Sequence, residues 1–136
     1  MQTCSPIKGG TVSNDKILII DDELKALSLL KVDLEALGYE VLTASEGAVG
    51  MVLAIKEHPD FIILDIKLPD ISGWEVCKIL KSISLTSNIP ILFITAFSSQ
   101  NDVEKAKVLG ACEYITKPIN PAKLHRTLQE TLSVNG

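Results

Sequence analysis

Four short runs of strand-forming residues each end directly before polar side chains that can carry chemistry. Residues 17–20 precede Asp21 and Asp22, residues 61–64 precede Asp65, residues 91–94 precede Thr95, and residues 113–116 precede Lys117. Short, apolar runs of this kind are typical of buried parallel strands. Because ligands bind at the carboxyl edge of open α/β sheets, these side chains are expected to meet there.

Helix-like segments separate these runs, and residues 39–43 add one more predicted strand. The predicted helices cover residues 23–37, 46–58, 73–80, 102–109 and the stretch from 121 onward. Gly38 and Gly110 stand at helix ends, and Asn120 is a capping residue followed by a first-turn proline. The alternation predicts an α/β fold, a five-stranded parallel (βα)5 sheet that is doubly wound with helices on both faces.

The length of 136 residues allows one domain, predicted at residues 15–133. Residues 1–14 are rich in Thr, Ser, Gly and Pro and are predicted to be a flexible tail, as are residues 134–136. The net charge of −4 argues against nonspecific nucleic-acid binding. No run approaches the ~20 apolar residues of a membrane helix, and no signal peptide is evident, so a cytoplasmic location without membrane contact is predicted.

Asp21 and Asp22 are followed by Glu23, which makes three consecutive acidic residues. Capping of the next helix explains one of them but not all three. Two carboxylates about 4 Å apart repel by roughly 4 kcal/mol at a surface-like dielectric, so this crowding favours a bound cation. Oxygen ligands without His or Cys nearby indicate Mg²⁺ or a similar hard ion. Cys4, Cys77 and Cys112 lack the spacing of a zinc site, and Cys77 is predicted to be a small buried residue.

Asp65 alone could be a loop cap, but beside Asp22 it becomes a candidate metal ligand and nucleophile. A carboxylate can accept a phosphoryl group to form an acyl phosphate. The transfer needs charge neutralisation on the phosphoryl oxygens, which the Lys117 ammonium and the Thr95 hydroxyl can supply. Pro118 after Lys117 makes a cis peptide plausible, although base rates favour trans.

With these motifs the chain resembles the receiver domain of two-component response regulators, of the single-domain, chemotaxis-regulator-like kind with a flavodoxin-like fold. The resemblance covers residues 15–133. It rests on DDE at 21–23, DIKLPDISG at 65–73, TAF at 95–97 and YITKP at 114–118. Each motif is weak alone, whereas the four in order across a (βα)5 pattern are highly specific.

The resemblance implies a role for each matched residue. Asp65 would be the phosphoacceptor, Asp22 a direct Mg²⁺ ligand, Asp21 its partner acting through water, and the backbone carbonyl of Lys67 the third protein contact to the metal. Thr95 would be the switch hydroxyl, Lys117 the partner of the phosphoryl group, and Tyr114 the aromatic switch residue. A basic residue at Lys67 departs from many relatives, and with Phe97 it is hypothesised to shield the acyl phosphate from water.

The implied function is a signalling module without turnover of an external substrate, and hence not an enzyme. A sensor histidine kinase or a histidine phosphotransfer protein would donate the phosphoryl group to Asp65, and a downstream protein would read the switched surface. No direct nucleic-acid binding is expected, and the protein would be a monomer or a phosphorylation-dependent dimer. The chain could be free-standing or a fragment; the starting Met slightly favours the former.

Three alternatives share parts of this pattern. A flavodoxin-type FMN binder would need a Ser/Thr/Gly phosphate loop where the acidic residues 21–23 stand. A Mg²⁺-dependent phosphatase with an aspartate nucleophile would carry a second Asp at position 67, where Lys67 stands. A degenerate receiver would serve only as a binding scaffold. Reaction with acetyl phosphate or beryllofluoride at Asp65 would separate them.

Overall fold

The structure, a computed structural model, describes residues 15–96 and 99–135, with the backbone alone for 133–135. The predicted tail at residues 1–14 and the hypothesised role of Phe97 lie outside the described residues. The elements in chain order are β1 (Lys16–Ile20), α1 (Leu24–Ala36), β2 (Glu40–Ala44), α2 (Gly47–Glu57), β3 (Phe61–Asp65), α3 (Gly73–Ser82), β4 (Ile91–Thr95), α4 (Gln100–Val108), β5 (Glu113–Thr116) and α5 (Pro121–Asn135). Within these residues, none of the helices combines the length and apolar character needed to span a bilayer.

The five strands form one parallel sheet in the order β2-β1-β3-β4-β5, which confirms the predicted architecture. Alternate side chains of the strands enter two apolar clusters on opposite faces. Ile17 and Ile19 pack with residues of α1 and α5, whereas Leu18 and Ile20 pack with residues of α2, α3 and α4. The sheet is therefore doubly wound, and its order reverses direction at β1 and β3.

The buried face of α1 consists of Leu27, Leu30 and Leu34. Leu37 is 39% exposed, because α1 ends at Ala36 and the chain turns away at Gly38, whose φ is 98°. Cys77 is fully buried, as predicted.

Two helix ends differ from their predicted positions. Helix α4 begins at Gln100, two residues before the predicted start at 102, because the Ser99 hydroxyl caps it by accepting a hydrogen bond from the backbone N–H of Asp102. Helix α5 continues to Asn135, beyond the predicted domain end at 133. No proline or glycine interrupts the sequence there before Gly136.

Helix α4 is the most weakly anchored helix beside the sheet's carboxyl edge, since Ala106 is its single buried residue. Lys105 on α4 places its Nζ 4.8 Å from the ring centroid of Trp74, within cation–π range. Trp74 belongs to α3 and packs on Phe93 of β4, with ring centroids 4.8 Å apart. Displacing an element that buries few apolar side chains requires little free energy, so α4 is the helix expected to move most easily.

Candidate active site

The point where the strand order reverses brings three carboxylates together. Leu64 of β3 lies opposite Ile20 of β1, so Asp21 follows one strand where Asp65 ends the other. One oxygen each of Asp21, Asp22 and Asp65 can be chosen so that all lie within 4.8 Å of one another. Asp21 and Asp65 are buried, while Asp22 is exposed. The cluster therefore offers three carboxylate oxygens as possible metal ligands, and solvent reaches it on the side of Asp22.

The Lys117 ammonium lies at the centre of this acidic group. Its Nζ is 3.0 Å from Asp21 Oδ2, 3.0 Å from Asp65 Oδ2 and 3.0 Å from Glu23 Oε1. Lys117 follows β5, and its backbone N–H donates to the Thr95 carbonyl at 2.7 Å. Three carboxylates therefore share one ammonium, and the fourth, on Asp22, adds further negative charge nearby.

The Lys117–Pro118 peptide bond is cis. Sequence alone made this isomer plausible without choosing it.

Crowding and burial perturb the acid–base behaviour of this group. Burial of Asp21, opposed by the Glu23 N–H and reinforced by neighbouring Asp65, raises the pKa of its carboxyl to about 6. Burial alone would lower the pKa of the Lys117 ammonium, but the close carboxylates of Asp21, Glu23 and Asp65 outweigh it and raise that pKa above its usual range. The ammonium thus stays charged while the carboxylates compete for it.

The donor set fits a small divalent cation. Asp21 Oδ2 is buried and, despite its ion-pair distance to Lys117, accepts no hydrogen bond from the described residues. A buried carboxylate oxygen without a hydrogen bond destabilises the fold unless a positive charge beside it compensates for the lost water. With Asp22 and Asp65 it offers hard oxygen ligands of the type that Mg²⁺ prefers.

The loop after Asp65 is held close to the strand that carries it. Asp65 Oδ1 accepts a hydrogen bond from the backbone N–H of Lys67 at 3.1 Å. The N–H of Gly73 donates to the Ile66 carbonyl at 2.7 Å. A Cβ on Gly73 would lie 2.3 Å from the Asp65 carbonyl oxygen, so the start of α3 packs directly against the backbone of Asp65. The metal contact through the Lys67 carbonyl stays a prediction.

A second tie runs from the same loop to α2. The carboxylate of Asp70 accepts hydrogen bonds from the backbone N–H groups of Gly47 and Ala48, at 2.8 and 2.9 Å. Glu46, the residue before α2, makes no side-chain cap of its own. Asp70 therefore caps α2 from a loop more than 20 residues away in sequence, and these hydrogen bonds, the largest effect on it, lower the pKa of its carboxyl.

Asp70→Asn is expected to destabilise the protein at neutral pH, since the amide loses the charge and one of the two acceptors. A folded-state pKa below the ordinary value of 3.8 means that the carboxylate stabilises the fold above that value. This stabilisation is lost as the pH falls through the folded-state pKa. Urea unfolding of wild type and Asp70→Asn should therefore differ at pH 7 and converge at low pH. Asp33→Asn, at an exposed carboxylate of α1, is the control; a difference independent of pH would contradict the capping role.

Thr95 and Tyr114 occupy the positions expected beside this centre. Asp65 lies opposite Ile94 of β4, so buried Thr95 is the next residue at the same edge of the sheet. Tyr114 is half-buried opposite Phe93 and packs against the cluster beneath α3 and α4. Burial, followed by the negative charge of Asp102 on α4, raises the pKa of the Tyr114 hydroxyl. Their roles as switch residues stay predictions.

Comparison with known proteins identifies the family. The family model of the response regulator receiver domain matches residues 17–129. The alkaline phosphatase synthesis transcriptional regulatory protein PhoP of Bacillus subtilis (strain 168) is 41% identical over 119 residues, covering 88% of this chain and 49% of that protein. The DNA-binding dual master transcriptional regulator RpaA of Synechocystis sp. (strain ATCC 27184 / PCC 6803 / Kazusa) is 39% identical over 105 residues, covering 77% and 44%.

A solved structure agrees with this assignment. The receiver domain of sensor histidine kinase PA1611 from Pseudomonas aeruginosa PAO1, with a magnesium ion coordinated in its active site cleft, has a TM-score of 0.81 and 26% identity, covering 89% of this chain and 99% of that one. The chain belongs to the response regulator receiver domain family of two-component systems, as its motifs predicted. It spans about half the length of the two regulators it matches.

The prediction that nucleic acid plays no part among the partners is contradicted. Relatives that match over most of this chain are transcriptional regulators, and one is described as DNA-binding. The inference failed because it used the net charge of the receiver alone, whereas each of these relatives is about twice as long as the matched region. The relatives are regulators and not metabolic enzymes, in agreement with the coarser part of the expectation for activity.

Three structural contributions were missed from the sequence. They are the ion pair of Glu23 with Lys117, the close packing of Gly73 on Asp65, and the capping of α2 by Asp70. Glu23 was recognised as a third acidic residue after Asp21 and Asp22, but the neighbouring sequence does not indicate that its ion-pair partner is Lys117. The glycine at the first position of α3 was the available signal for a close backbone approach.

Proposed function

We propose that Asp65 accepts a phosphoryl group from a phosphohistidine of a sensor histidine kinase or a histidine phosphotransfer protein, and that the reaction requires Mg²⁺. The observation that carries this proposal is the placement of Asp65 Oδ2 3.0 Å from the Lys117 ammonium, within the three-carboxylate cluster. A nucleophilic carboxylate, an ammonium and a candidate metal site in one place are the components that phosphoryl transfer needs.

In the proposed reaction an oxygen of the Asp65 carboxylate attacks the phosphorus atom. The bond from phosphorus to the imidazole nitrogen breaks, and that nitrogen keeps the electron pair. Lys117 moves its ion pair from the free carboxylate to a phosphoryl oxygen, and the Thr95 hydroxyl donates to another. Water later attacks the acyl phosphate and releases inorganic phosphate, regenerating Asp65.

The side chains of Asp21, Asp22 and Asp65, with the Lys67 carbonyl, would hold the Mg²⁺ ion. When bound, the ion neutralises charge on the phosphoryl oxygens. The chain's own contribution is to position these groups, because Asp21 and Asp65 are buried at the strand ends while Asp22 is exposed to solvent. The N–H of Lys67 holds the second Asp65 oxygen and orients the carboxylate.

The alternatives fit the geometry less well. A flavin phosphate would face the carboxylates of Asp21, Asp22 and Glu23, which repel an anion. A phosphatase of the aspartate-nucleophile type needs a second carboxylate at position 67, where Lys67 stands. A degenerate scaffold would not need a half-buried ammonium in contact with the buried carboxylates of Asp21 and Asp65.

Phosphorylation would shift the population of Thr95, Tyr114 and α4 toward a second arrangement. Helix α4 supports this route because it follows Thr95 after a short connection and buries Ala106 alone. The names of the relatives favour regulation of transcription as the output. Location in the cytoplasm stays a prediction.

The test is incubation with Mg²⁺ and acetyl phosphate, followed by mass spectrometry. We expect an adduct of about 80 Da on Asp65, as for any phosphorylation, and none on Asp65→Asn or without Mg²⁺. Asp60→Asn, which keeps the same charge change away from the cluster, should be phosphorylated like wild type. Absence of the adduct, together with absence of beryllofluoride binding, would leave only the scaffold alternative.

A further inference from the structure

Glu23 differs from the other two carboxylates on Lys117 in its exposure. The side chain of Glu23 is 59% exposed, whereas those of Asp21 and Asp65 are 0% and 7% exposed. All three place an oxygen 3.0 Å from the same Nζ. The two aspartates are fixed by the ends of β1 and β3. Glu23 can leave the ammonium for water at little cost, because exposed ion pairs contribute little free energy.

This difference has two opposite electrostatic effects on the centre. While Asp65 is free, Glu23 draws part of the ammonium charge away from Asp21 and Asp65 and adds its own negative charge, so the cluster attracts a divalent cation more strongly. Once a phosphoryl group is present, the same carboxylate competes with the phosphoryl oxygens for the ammonium and repels them.

We infer that Glu23 is a positioning residue that holds Lys117 partly away from Asp65, favouring Mg²⁺ entry and opposing phosphoryl occupancy. The inference rests on the proposed function of Asp65 as phosphoacceptor. Glu23 acts through Lys117, and its carboxylate must release the ammonium when the phosphoryl group arrives. The residue thereby sets the balance between the metal-loaded and the phosphorylated states.

Glu23→Gln tests this role with two measurements of opposite expected sign. Titration with Mg²⁺ alone, followed by calorimetry, should show binding weakened by about threefold, the size expected for an exposed ion pair. Titration with beryllofluoride at saturating Mg²⁺, followed by the fluorescence of Trp74, should show binding tightened by a similar factor of about three. A purely structural defect would weaken both.

Two further variants separate contact from charge. Glu23→Asp keeps the charge but shortens the side chain, so it should tighten beryllofluoride binding while lowering Mg²⁺ affinity less than Glu23→Gln does. Glu35→Gln removes the same charge from an exposed residue near the end of α1, the helix that follows Glu23. Glu35 is twelve residues from Glu23, or about 18 Å along the helix axis, so both affinities of this variant should match those of wild type.

The outcomes distinguish this inference from the proposed function. Wild-type protein that binds neither Mg²⁺ nor beryllofluoride overturns both. Wild-type protein that binds both, with Glu23→Gln unchanged or with both affinities changed in the same direction, overturns the positioning role alone. Opposite changes in Glu23→Gln, absent in Glu35→Gln, support it.

Discussion

Gly73→Ala should slow phosphorylation of Asp65 by about a hundredfold, the effect of misplacing a reacting group by about 1 Å. The added Cβ would lie 2.3 Å from the Asp65 carbonyl oxygen and 2.7 Å from the Ile66 Cα. Both are backbone atoms, so no change of rotamer relieves the contact. The end of β3 or the start of α3 must shift, and overpacking of this kind costs about 1–3 kcal/mol of stability. Phosphorylation kinetics with acetyl phosphate and urea unfolding measure the two effects.

Ser72→Ala is the matched control for that variant. Its hydroxyl caps α3 by accepting a hydrogen bond from the Glu75 N–H, and losing the cap should cost about 1 kcal/mol without moving Asp65. Its phosphorylation rate should stay near that of wild type. If Gly73→Ala lost stability but kept the wild-type rate, the packing of α3 on the acceptor backbone would have no role in placing Asp65.

Asp21→Asn should stabilise the metal-free protein by about 1–2 kcal/mol while abolishing Mg²⁺ binding. Carboxylates about 4 Å apart repel by roughly 4 kcal/mol at a surface-like dielectric, and the shared Lys117 ammonium offsets part of this. Asp21 is fully buried and its pKa is raised to about 6, which shows that ionising it in this place is unfavourable. The amide oxygen can still accept the hydrogen bond from the Glu23 N–H that Asp21 Oδ1 accepts now.

Urea unfolding with and without Mg²⁺ measures both parts of this prediction. Wild type should gain about 2.7 kcal/mol at a Mg²⁺ concentration one hundred times the Kd, whereas Asp21→Asn should gain nothing. Asp22→Asn should also lose metal binding, but water screens the repulsion between the exposed Asp22 carboxylate and its neighbours, so its metal-free stability should rise less. A metal-free Asp21→Asn protein less stable than wild type would show that Lys117 more than compensates the crowding.

Most of the fold was predictable because its signals are local. The apolar runs at residues 61–64 and 91–94 predicted buried parallel strands, and β3 and β4 are buried throughout. Boundaries were less reliable where a side chain outside the pattern decides them. Ser99 extends α4 by capping it, whereas α1 ends close to Gly38, where the pattern placed its end.

The site was predictable as far as strand ends determine it. Asp21, Asp65 and Lys117 each lie at the carboxyl end of a parallel strand, so the topology alone brings them to one edge of the sheet. The ion pair of Glu23 with Lys117 joins residues 94 positions apart, and the Asp70 cap joins residues 22 and 23 apart. Such contacts depend on side-chain reach in three dimensions, which no local pattern records.

The loop after Asp65 is held by the helices on both sides of it. Gly73 packs it against the start of α3, and Asp70 binds it to the first turn of α2. The wall of the cleft that carries Asp65 is therefore fixed from two directions. If Asp65 is phosphorylated as proposed, we expect the structural response at the opposite wall, where Thr95 precedes α4 and Lys105 contacts the ring of Trp74.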